Sequence, residues 1–374
     1  MRGKAKEIIV ISVILIIAVS LSIPSYLKER KIYRAAVKQE SETKVEAKLE
    51  EAEEWRVSSP AEQGMDEGIL DKAGEMVGKT AAYSIIVIRH GNIVMERYYN
   101  NSGMEDANNV FSVTKSFMSA LVGIAADKGF IENIDQKVSE YIPEYYQNQR
   151  YSDKKEITIR HLLTMTPGFC EDLDKWTASG DWVRHTLELP LKYKPGEKFQ
   201  YANSASHLLS VILTKATKTS TLDFAEQHLF GPMNIEGVRW ASDPQGYYTG
   251  YANMYIRPRD MAKFGLMYLN GGMFNDRQVV PSEWVEESTR KHVDTDPQKT
   301  VNTRTGYGFK WWAGEESGYY VYVASGYGGQ NICVIPELDV VAVTTSMPYG
   351  ASSFSDEDRS RLIREFIVPS VVKK

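Results

Sequence analysis

The chain has 374 residues, of which 43% are hydrophobic and 25% charged, and its formal net charge at pH 7 is −5. This length can bury the core of one large domain or two smaller ones. The mild negative charge without a basic face excludes a typical nucleic-acid-binding protein. The two cysteines, Cys170 and Cys333, are far apart and form neither a metal-ligand spacing nor a disulfide framework. We therefore expect no metal and no cofactor.

The N-terminus differs in composition from the rest of the chain. Three basic residues among the first six precede an apolar run from Ile8 to Ile23, which Pro24 ends. Such a segment is either a signal peptide or a short membrane anchor, and we favour an uncleaved anchor within residues 1–27. Residues 28–54 are rich in Lys, Glu and Ala and contain no Gly or Pro, which is typical of a charged helical stalk or linker. We expect the folded domain to occupy residues 55–374 on the extracytoplasmic side of the cell membrane.

Within residues 55–374, two groups of predicted strands enclose a helical region. The stretch "YSIIVIRHGNIVMERYY" from Tyr83 predicts a β-hairpin, and a helix is predicted from Thr114 to about Lys128, ended by Gly129. Residues 130–235 are richer in helical patterns. The tail from Tyr307 alternates as antiparallel strands and ends in an amphipathic helix. This order predicts an α+β domain whose antiparallel sheet is assembled from both ends and flanked by helices, with a mostly helical insert over about 130–235.

The segment "FSVTKSF" places Ser112 three residues before Lys115 at the predicted start of a helix. Residues at this spacing lie on the same helical face. A lysine can remove the proton of a serine nucleophile when burial or nearby positive charge lowers the pKa of its amine. The alternative is a helix cap with a solvent-exposed lysine, and the four residues alone do not decide between the two.

Two further motifs supply polar groups of the kind that such a serine needs. Tyr201-Ala202-Asn203 follows a Pro-Gly turn and precedes a predicted helix, and its phenol can share a proton. A second copy, Tyr251-Ala252-Asn253, shows that this motif is common in a chain with 22 tyrosines. The Gly-rich stretch "SGYGGQN", residues 325–331, lies between two predicted strands, where a backbone N–H can bind a developing oxyanion.

The order of these motifs and their surrounding sequence resemble the serine β-lactamase and penicillin-binding-protein superfamily. The resemblance is greatest to its class C-type branch of β-lactamase-related hydrolases, which includes 6-aminohexanoate-dimer hydrolases, esterases and D-aminopeptidases. The matching text includes "VFSVTKSFMSALVGIAADKGFI", "ITIRHLLTMTPGF", "PGEKFQYANSASHLLSVIL", "RPRDMAKFGLMYLNGG" and "SGYGGQNICVIPELDVVAVTTS". It covers about residues 55–370 and implies a β-lactamase/transpeptidase-like fold.

The resemblance also implies a role for individual residues. Ser112 matches the acylated nucleophile, Lys115 the lysine that helps deprotonate it, and Tyr201 the general acid and base. Asn203 matches an asparagine that holds the lysine or the substrate. The setting of Tyr251 matches a segment before a surface helix, so we prefer Tyr201 as the catalytic tyrosine.

The third family motif is expected at the Gly-rich strand edge. Its residues here would be Tyr327, Gly328 and Gly329, which we expect to contact the substrate. The backbone N–H groups of Ser112 and Gln330 would form the oxyanion hole. Relatives carry Lys-Thr-Gly or His-x-Gly at this motif, and a tyrosine offers no charge to a substrate carboxylate.

These residues predict a serine hydrolase that cleaves an ester or amide of a small molecule or peptide through an acyl-enzyme on Ser112. One alternative is a penicillin-binding protein, β-lactamase or D-amino-acid peptidase acting on cell-wall peptides, which the uncharged Tyr327 disfavours. Another is a catalytically silent cell-surface protein, which the complete set of Ser112, Lys115 and Tyr201 disfavours. The sequence leaves the natural substrate and the oligomeric state open.

Overall fold

In the computed structural model, residues 55–147, 151–295, 305–349 and 354–372 are described. The predicted anchor and stalk lie outside these ranges. Contacts divide the chain into Met1–Trp55 and Arg56–Lys374, and the architecture below is that of the second unit. Among the described residues, no helix has both the length and the apolar character needed to cross a bilayer.

The strands belong to a large sheet, a small sheet and a short hairpin. In chain order they are β1 Ala82–Arg89, β2 Asn92–Tyr98, β3 Asn108–Asn109, β4 Arg239–Trp240, β5 Met254–Ile256, β6 Met273–Phe274, β7 Arg277–Gln278, β8 Val293–Asp294, β9 Gly306–Tyr307, β10 Trp312–Glu316, β11 Tyr319–Gly326, β12 Gln330–Ile335 and β13 Val340–Ser346.

The large sheet joins the two ends of the domain, as the sequence predicts. Its strand order is β2-β1-β13-β12-β11-β10-β9-β8, and its recorded pairings are antiparallel. The N-terminal hairpin therefore pairs with the last strand through β1 and β13. Alternating apolar residues on one face of these strands pack against the first helix and the C-terminal helical segment in a buried core.

The helices cover the sheet and form the insert between its two halves. They are α1 Glu67–Gly78, α2 Thr114–Asp127, α3 Val138–Tyr141, α4 Ile159–Leu163, α5 Leu173–Thr177, α6 Trp182–Glu188, α7 Asn203–Thr217, α8 Thr221–Ala225, α9 Pro258–Leu269, α10 Ser282–Thr289, α11 Asp356–Arg361 and α12 Val368–Ser370. A π-helical segment, Leu362–Ile367, joins the last two into a continuous C-terminal helix. Helices α3–α8 lie within residues 130–235, where the sequence predicts a helical insert.

The local predictions around β1, β2 and α2 are also confirmed. The turn between β1 and β2 contains His90 at φ 49° and Gly91 at φ 74°, the left-handed conformations that a tight hairpin needs. Helix α2 ends at Asp127, and Gly129 follows at φ 73°. Every residue of α2 from Thr114 to Ala125 is buried, because this helix passes through the middle of the domain.

Candidate active site

Ser112 lies in a single 3₁₀ turn, Phe111–Val113, that runs directly into α2. Phe111 has φ 47°, an unfavourable conformation for a non-glycine residue that persists only where its surroundings impose it. Here the Phe111 N–H donates to Asn109 Oδ1 at 2.9 Å, and the Val110 N–H donates to the Met254 carbonyl of β5 at 2.9 Å. These bonds fix the entry into α2 and therefore the position of the serine.

Lys115 is almost completely buried, with 1% of its surface exposed, one helical turn beyond Ser112. Its Nζ donates to Ser112 Oγ at 2.8 Å, to Asn203 Oδ1 at 2.9 Å and to the carbonyl oxygen of Tyr251 at 2.9 Å. Burial disfavours the charged amine and lowers its pKa to about 7, although the negative charge of Glu171 acts in the opposite direction. A substantial fraction of Lys115 is therefore neutral near pH 7 and able to accept a proton.

Tyr201 stands beside the same two residues, immediately before α7. Its ring stacks on Trp312 with centroids 6.0 Å apart, and Lys115 Nζ lies 5.0 Å from the ring centroid. The phenol forms a hydrogen bond with Ser112, which lowers its pKa, but burial has the larger effect and raises the pKa above its ordinary value. Tyr201 is therefore a neutral phenol at physiological pH, suited to passing a proton and unsuited to holding a negative charge.

Asn203 is held by Glu171, a residue that the sequence analysis did not identify. Asn203 is the first residue of α7, and the preceding Ala202 has no side-chain oxygen to cap the helix. Glu171 supplies the cap from a distant loop: its carboxylate accepts from the Asn203 and Ser204 N–H groups at 3.0 and 2.6 Å. It also accepts from Asn203 Nδ2 at 3.2 Å. The sequence did contain one signal for such a residue: α7 begins after an alanine, where a polar capping residue is normally found.

Tyr251 also reaches the site, although its sequence setting suggested a location before a surface helix. Its contribution is the main-chain carbonyl that accepts from Lys115 Nζ, while its ring centroid lies 5.6 Å from the same nitrogen. The buried pair of His207 Nε2 and Asp243 Oδ2, 2.9 Å apart, joins α7 to the chain segment that carries Tyr251. His207 thus has a structural role, as the sequence predicts for a site in which a lysine and a tyrosine transfer the proton.

The strand edge beside Ser112 differs from the one predicted. A β-carbon built on Gly326 would lie 3.3 Å from Ser112 N and 2.3 Å from the Val110 carbonyl oxygen. Strand β10 pairs with β11 only over Tyr319–Val323, so residues 324–326 extend past it towards the nucleophile. The glycine that faces Ser112 is therefore Gly326.

The predicted roles of Gly328, Gly329 and Gln330 need correction for this reason. Gly328 packs against Pro348, and Gly329 packs against Phe354 and Ser346. Gln330 begins β12, an interior strand between β11 and β13, and its buried side chain exchanges hydrogen bonds with the Ser346 main chain at 2.6 and 3.2 Å. The pattern of small residues did not reveal which glycine approaches the serine, because that depends on the strand pairing.

Tyr327 lies where a substrate contact was expected, at the exposed end of the β11–β12 turn. Its side chain is 61% exposed, and its ring is 5.9 Å from that of Phe111 and 5.8 Å from that of Tyr349. Tyr349 is 65% exposed. Phe111, the chain neighbour of Ser112, thus lies against two exposed, uncharged aromatic rings.

The two cysteines are not joined. Cys170 is exposed and Cys333 is buried in β12, and neither forms a disulfide. Within the described ranges, no group of three or more His, Cys, Asp or Glu side chains is arranged to hold a metal ion. The candidate site described above consists of Ser112, Lys115, Tyr201 and Asn203.

Residues 68–364 match the model of the Beta-lactamase family. An uncharacterised protein of Alkalihalophilus pseudofirmus is 28% identical over 75% of this chain and 88% of its own. The 6-aminohexanoate-dimer hydrolase of Paenarthrobacter ureafaciens is 25% identical over 72% of this chain and 73% of its own. A D-stereospecific amidohydrolase structure from Streptomyces aligns with a TM-score of 0.62 at 16% identity, covering 81% of this chain and 99% of that one. At that identity the likeness shows the shared fold alone.

Proposed function

The chain belongs to the Beta-lactamase family, and from this premise we propose that it is a serine hydrolase that forms a covalent acyl-enzyme on Ser112. The observation that carries the proposal is the contact of the buried Lys115 amine, whose pKa is lowered to about 7, with Ser112 Oγ at 2.8 Å. A base with a pKa near the working pH, within hydrogen-bond reach of the proton it removes, meets both requirements for general-base catalysis.

In the proposed first half-reaction, Ser112 Oγ attacks the substrate carbonyl carbon while its proton moves to Lys115 Nζ, directly or through the phenol of Tyr201. The carbonyl π electrons move to oxygen and form a tetrahedral oxyanion. When the oxyanion collapses, the bond to the leaving group breaks, and the proton passes through Tyr201 to the departing oxygen or nitrogen. Water then repeats the sequence on the acyl-enzyme and releases the acid.

The oxyanion needs N–H donors placed before the reaction begins. We assign one to the Ser112 main chain. Because Gly326 lies against Ser112 N, the second candidate is the N–H that follows it, that of Tyr327, in place of Gln330. Both donors belong to the backbone, so the uncharged side chain of Tyr327 does not affect them.

Neutral esters and amides fit this site better than anionic cell-wall peptides or penicillins, because the aromatic border of Phe111, Tyr327 and Tyr349 offers a substrate carboxylate no positive charge. The relative from P. ureafaciens is named for hydrolysis of 6-aminohexanoate dimers, and we extend only the general class, ester or amide cleavage, to this chain. We further propose that the domain acts outside the cytoplasm, held by residues 8–23. Fractionation and protease accessibility of the full-length chain in cells test this location.

The function is tested with a fluorophosphonate probe, p-nitrophenyl esters and a fluorescent penicillin, applied to the wild type and Ser112→Ala. We expect wild type to be labelled at Ser112 and to hydrolyse the esters, and the variant to lose several orders of magnitude in rate while remaining folded. Ser116→Ala is a matched control, since Ser116 lies on the same helix and its Oγ donates to the Lys310 carbonyl at 2.8 Å. Equal labelling of wild type and Ser112→Ala would refute the proposal, and wild-type protein inert to all three reagents would support a silent protein.

A further inference from the structure

The hydrogen bonds around Lys115 determine where its lone pair points once the amine is neutral. A protonated amine has three N–H donors, and Lys115 uses them on Ser112 Oγ, Asn203 Oδ1 and the Tyr251 carbonyl. A neutral amine keeps two N–H groups and one lone pair. Asn203 Oδ1 and the Tyr251 carbonyl can only accept, whereas the Ser112 hydroxyl has a proton to donate. The two acceptors therefore take the two N–H groups and leave the lone pair facing Ser112.

This arrangement requires the Asn203 amide to present its oxygen, and not its NH₂ group, to the lysine. A flipped amide would place two donors against a protonated Lys115, or would occupy the lone pair of the neutral amine. The contact at the other end of the amide decides the orientation. Glu171 Oε1 lies 3.2 Å from Asn203 Nδ2, and a carboxylate can only accept, so it binds the NH₂ end.

Glu171 also fixes the backbone from which Asn203 projects. Its carboxylate oxygens accept from the N–H groups of Asn203 and Ser204 at the start of α7. Hydrogen bonds to a charged acceptor are shorter and about twice as strong as neutral ones, and a negative charge at a helix N-terminus is favourable. One side chain thus holds both the position and the orientation of the amide that contacts Lys115.

We propose that Glu171 is a positioning residue for proton transfer: by holding the Asn203 amide and the start of α7, it directs the lone pair of neutral Lys115 to Ser112. The inference rests on the proposed function, since it concerns the same lysine. It goes further in assigning the orientation of the base to an acidic residue that reaches the lysine through Asn203.

The charge of Glu171 gives the proposal a distinctive signature. The titratable groups that face Lys115 are Glu171 from the loop before α5, Tyr201 before α7, Tyr251 from the segment before β5, and Lys310 before β10. Of these, Glu171 favours the protonated amine and raises its pKa. Removing that charge should therefore lower the pKa of Lys115 while the loss of positioning lowers the rate.

The test compares wild type, Glu171→Gln and Asp172→Asn in the full-length chain. Glutamine keeps the size and one acceptor oxygen but loses the charge and the acceptor-only character that fixes the amide. Asp172→Asn is the matched control, because it removes a neighbouring carboxylate that caps α5 through the Lys175 N–H. The measurements are the pH dependence of kcat/KM and kcat on a p-nitrophenyl ester, thermal unfolding, and titration of Lys115 by ¹³C-lysine NMR, assigned with Lys115→Arg.

For Glu171→Gln we expect kcat to fall by about ten- to a hundredfold, the range for losing a hydrogen bond to a charged group. We expect the acid limb of the pH dependence of kcat, and the titration of Lys115, to move to lower pH in this variant. Asp172→Asn should match the wild type in both measurements. The inference is overturned if both kcat and the Lys115 titration are unchanged in Glu171→Gln. It is also overturned if the variant loses thermal stability while the acid limb of its pH profile stays in place, because Glu171 then only caps α7. If wild-type Ser112 is not labelled by a fluorophosphonate, the proposed function fails, and the NMR titration still decides whether Glu171 controls Lys115.

Discussion

Gly326 lies against the backbone amide of Ser112 and leaves no room for a side chain. The nearest atom to a β-carbon built there is the Val110 carbonyl oxygen at 2.3 Å, far inside normal contact, and Gln330 Cβ and Ser112 N lie at 3.0 and 3.3 Å. The end of β11 and the start of α2 therefore approach each other backbone to backbone. In the proposed mechanism, this close approach lets the strand supply an oxyanion donor beside the Ser112 N–H.

Gly326→Ala is expected to lower kcat/KM on a p-nitrophenyl ester by at least about a hundredfold, the effect of losing one oxyanion donor. The added methyl group forces the strand away from Ser112, because its closest neighbour is main chain and cannot rotate aside. The measurement is kcat/KM together with thermal unfolding. Gly103→Ala is the control, since a β-carbon there has no neighbour within 4 Å. Activity within a few-fold of wild type in Gly326→Ala would contradict this account of the strand edge.

The fold was largely predictable because its signals are local. The apolar runs of β1 and β13, the alternation in β11 and the glycine stop after α2 are read directly from sequence. The site was predictable only where a short motif fixes the chemistry, as with Ser112 and Lys115 on one turn of α2. The sequence predicts that Gly328 and Gly329 face the serine, whereas Gly326 does so in the structure. Which glycine faces Ser112 depends on the pairing of β10 with β11, which the motif does not encode.

Glu171 and the Tyr251 carbonyl escaped prediction for a different physical reason. Glu171 acts on a helix that begins more than thirty residues later, and no periodicity connects a loop carboxylate with a distant cap. Tyr251 contributes through its main chain, which every residue possesses, so its side chain carried no information about that contact. Contacts between distant loops and backbone groups depend on tertiary packing, which a sequence pattern does not encode position by position.

The two Tyr-x-Asn motifs should respond differently to loss of the phenol. Tyr201→Phe is expected to lose at least about a hundredfold in kcat, since its hydroxyl bonds Ser112 and, in the proposed mechanism, relays the proton. Tyr251→Phe keeps the main-chain carbonyl that binds Lys115 and should retain activity within a few-fold. Steady-state kinetics on one neutral ester compare the two variants. Equal losses, or a larger loss at Tyr251, would mean that the proton relay has been assigned to the wrong tyrosine.

The rate of acylation is expected to fall on the acid side of pH 7. Burial lowers the pKa of Lys115 to about 7, so protonation removes the base as the pH decreases, and the rate should drop about tenfold per pH unit well below that value. The measurement is the rate of fluorophosphonate labelling between pH 5 and 9. Lys115→Arg should be nearly inactive throughout this range because a guanidinium does not deprotonate. Lys128→Arg, an exposed exchange just past α2, is the control and should retain the wild-type profile.

Substrate charge should determine selectivity through the exposed position 327. Tyr327 is 61% exposed beside Phe111, and a phenol offers an anionic substrate one neutral hydrogen bond, about half as strong as a charge-assisted one. The difference of about 1–2 kcal/mol corresponds to about five- to thirtyfold in preference. We expect the wild type to hydrolyse short neutral esters and to act slowly or not at all on penicillins. Tyr327→Lys should raise activity on anionic substrates more than on neutral ones, because the backbone oxyanion donors are unchanged.

The measurement is the ratio of kcat/KM for a penicillin or an acyl-D-alanine to that for a p-nitrophenyl ester, in wild type and Tyr327→Lys. Val57→Lys adds the same charge at a 70% exposed position beside β2. Strands β1, β13 and β12 separate β2 from β11, so this variant should leave the ratio unchanged. A general effect of net charge would move both variants equally, whereas a local effect moves only Tyr327→Lys. If the wild type already prefers the anionic substrate, or lysine at position 327 leaves the ratio unaltered, then a feature other than the aromatic border selects the substrate. In that case cell-wall peptides return as the leading candidates.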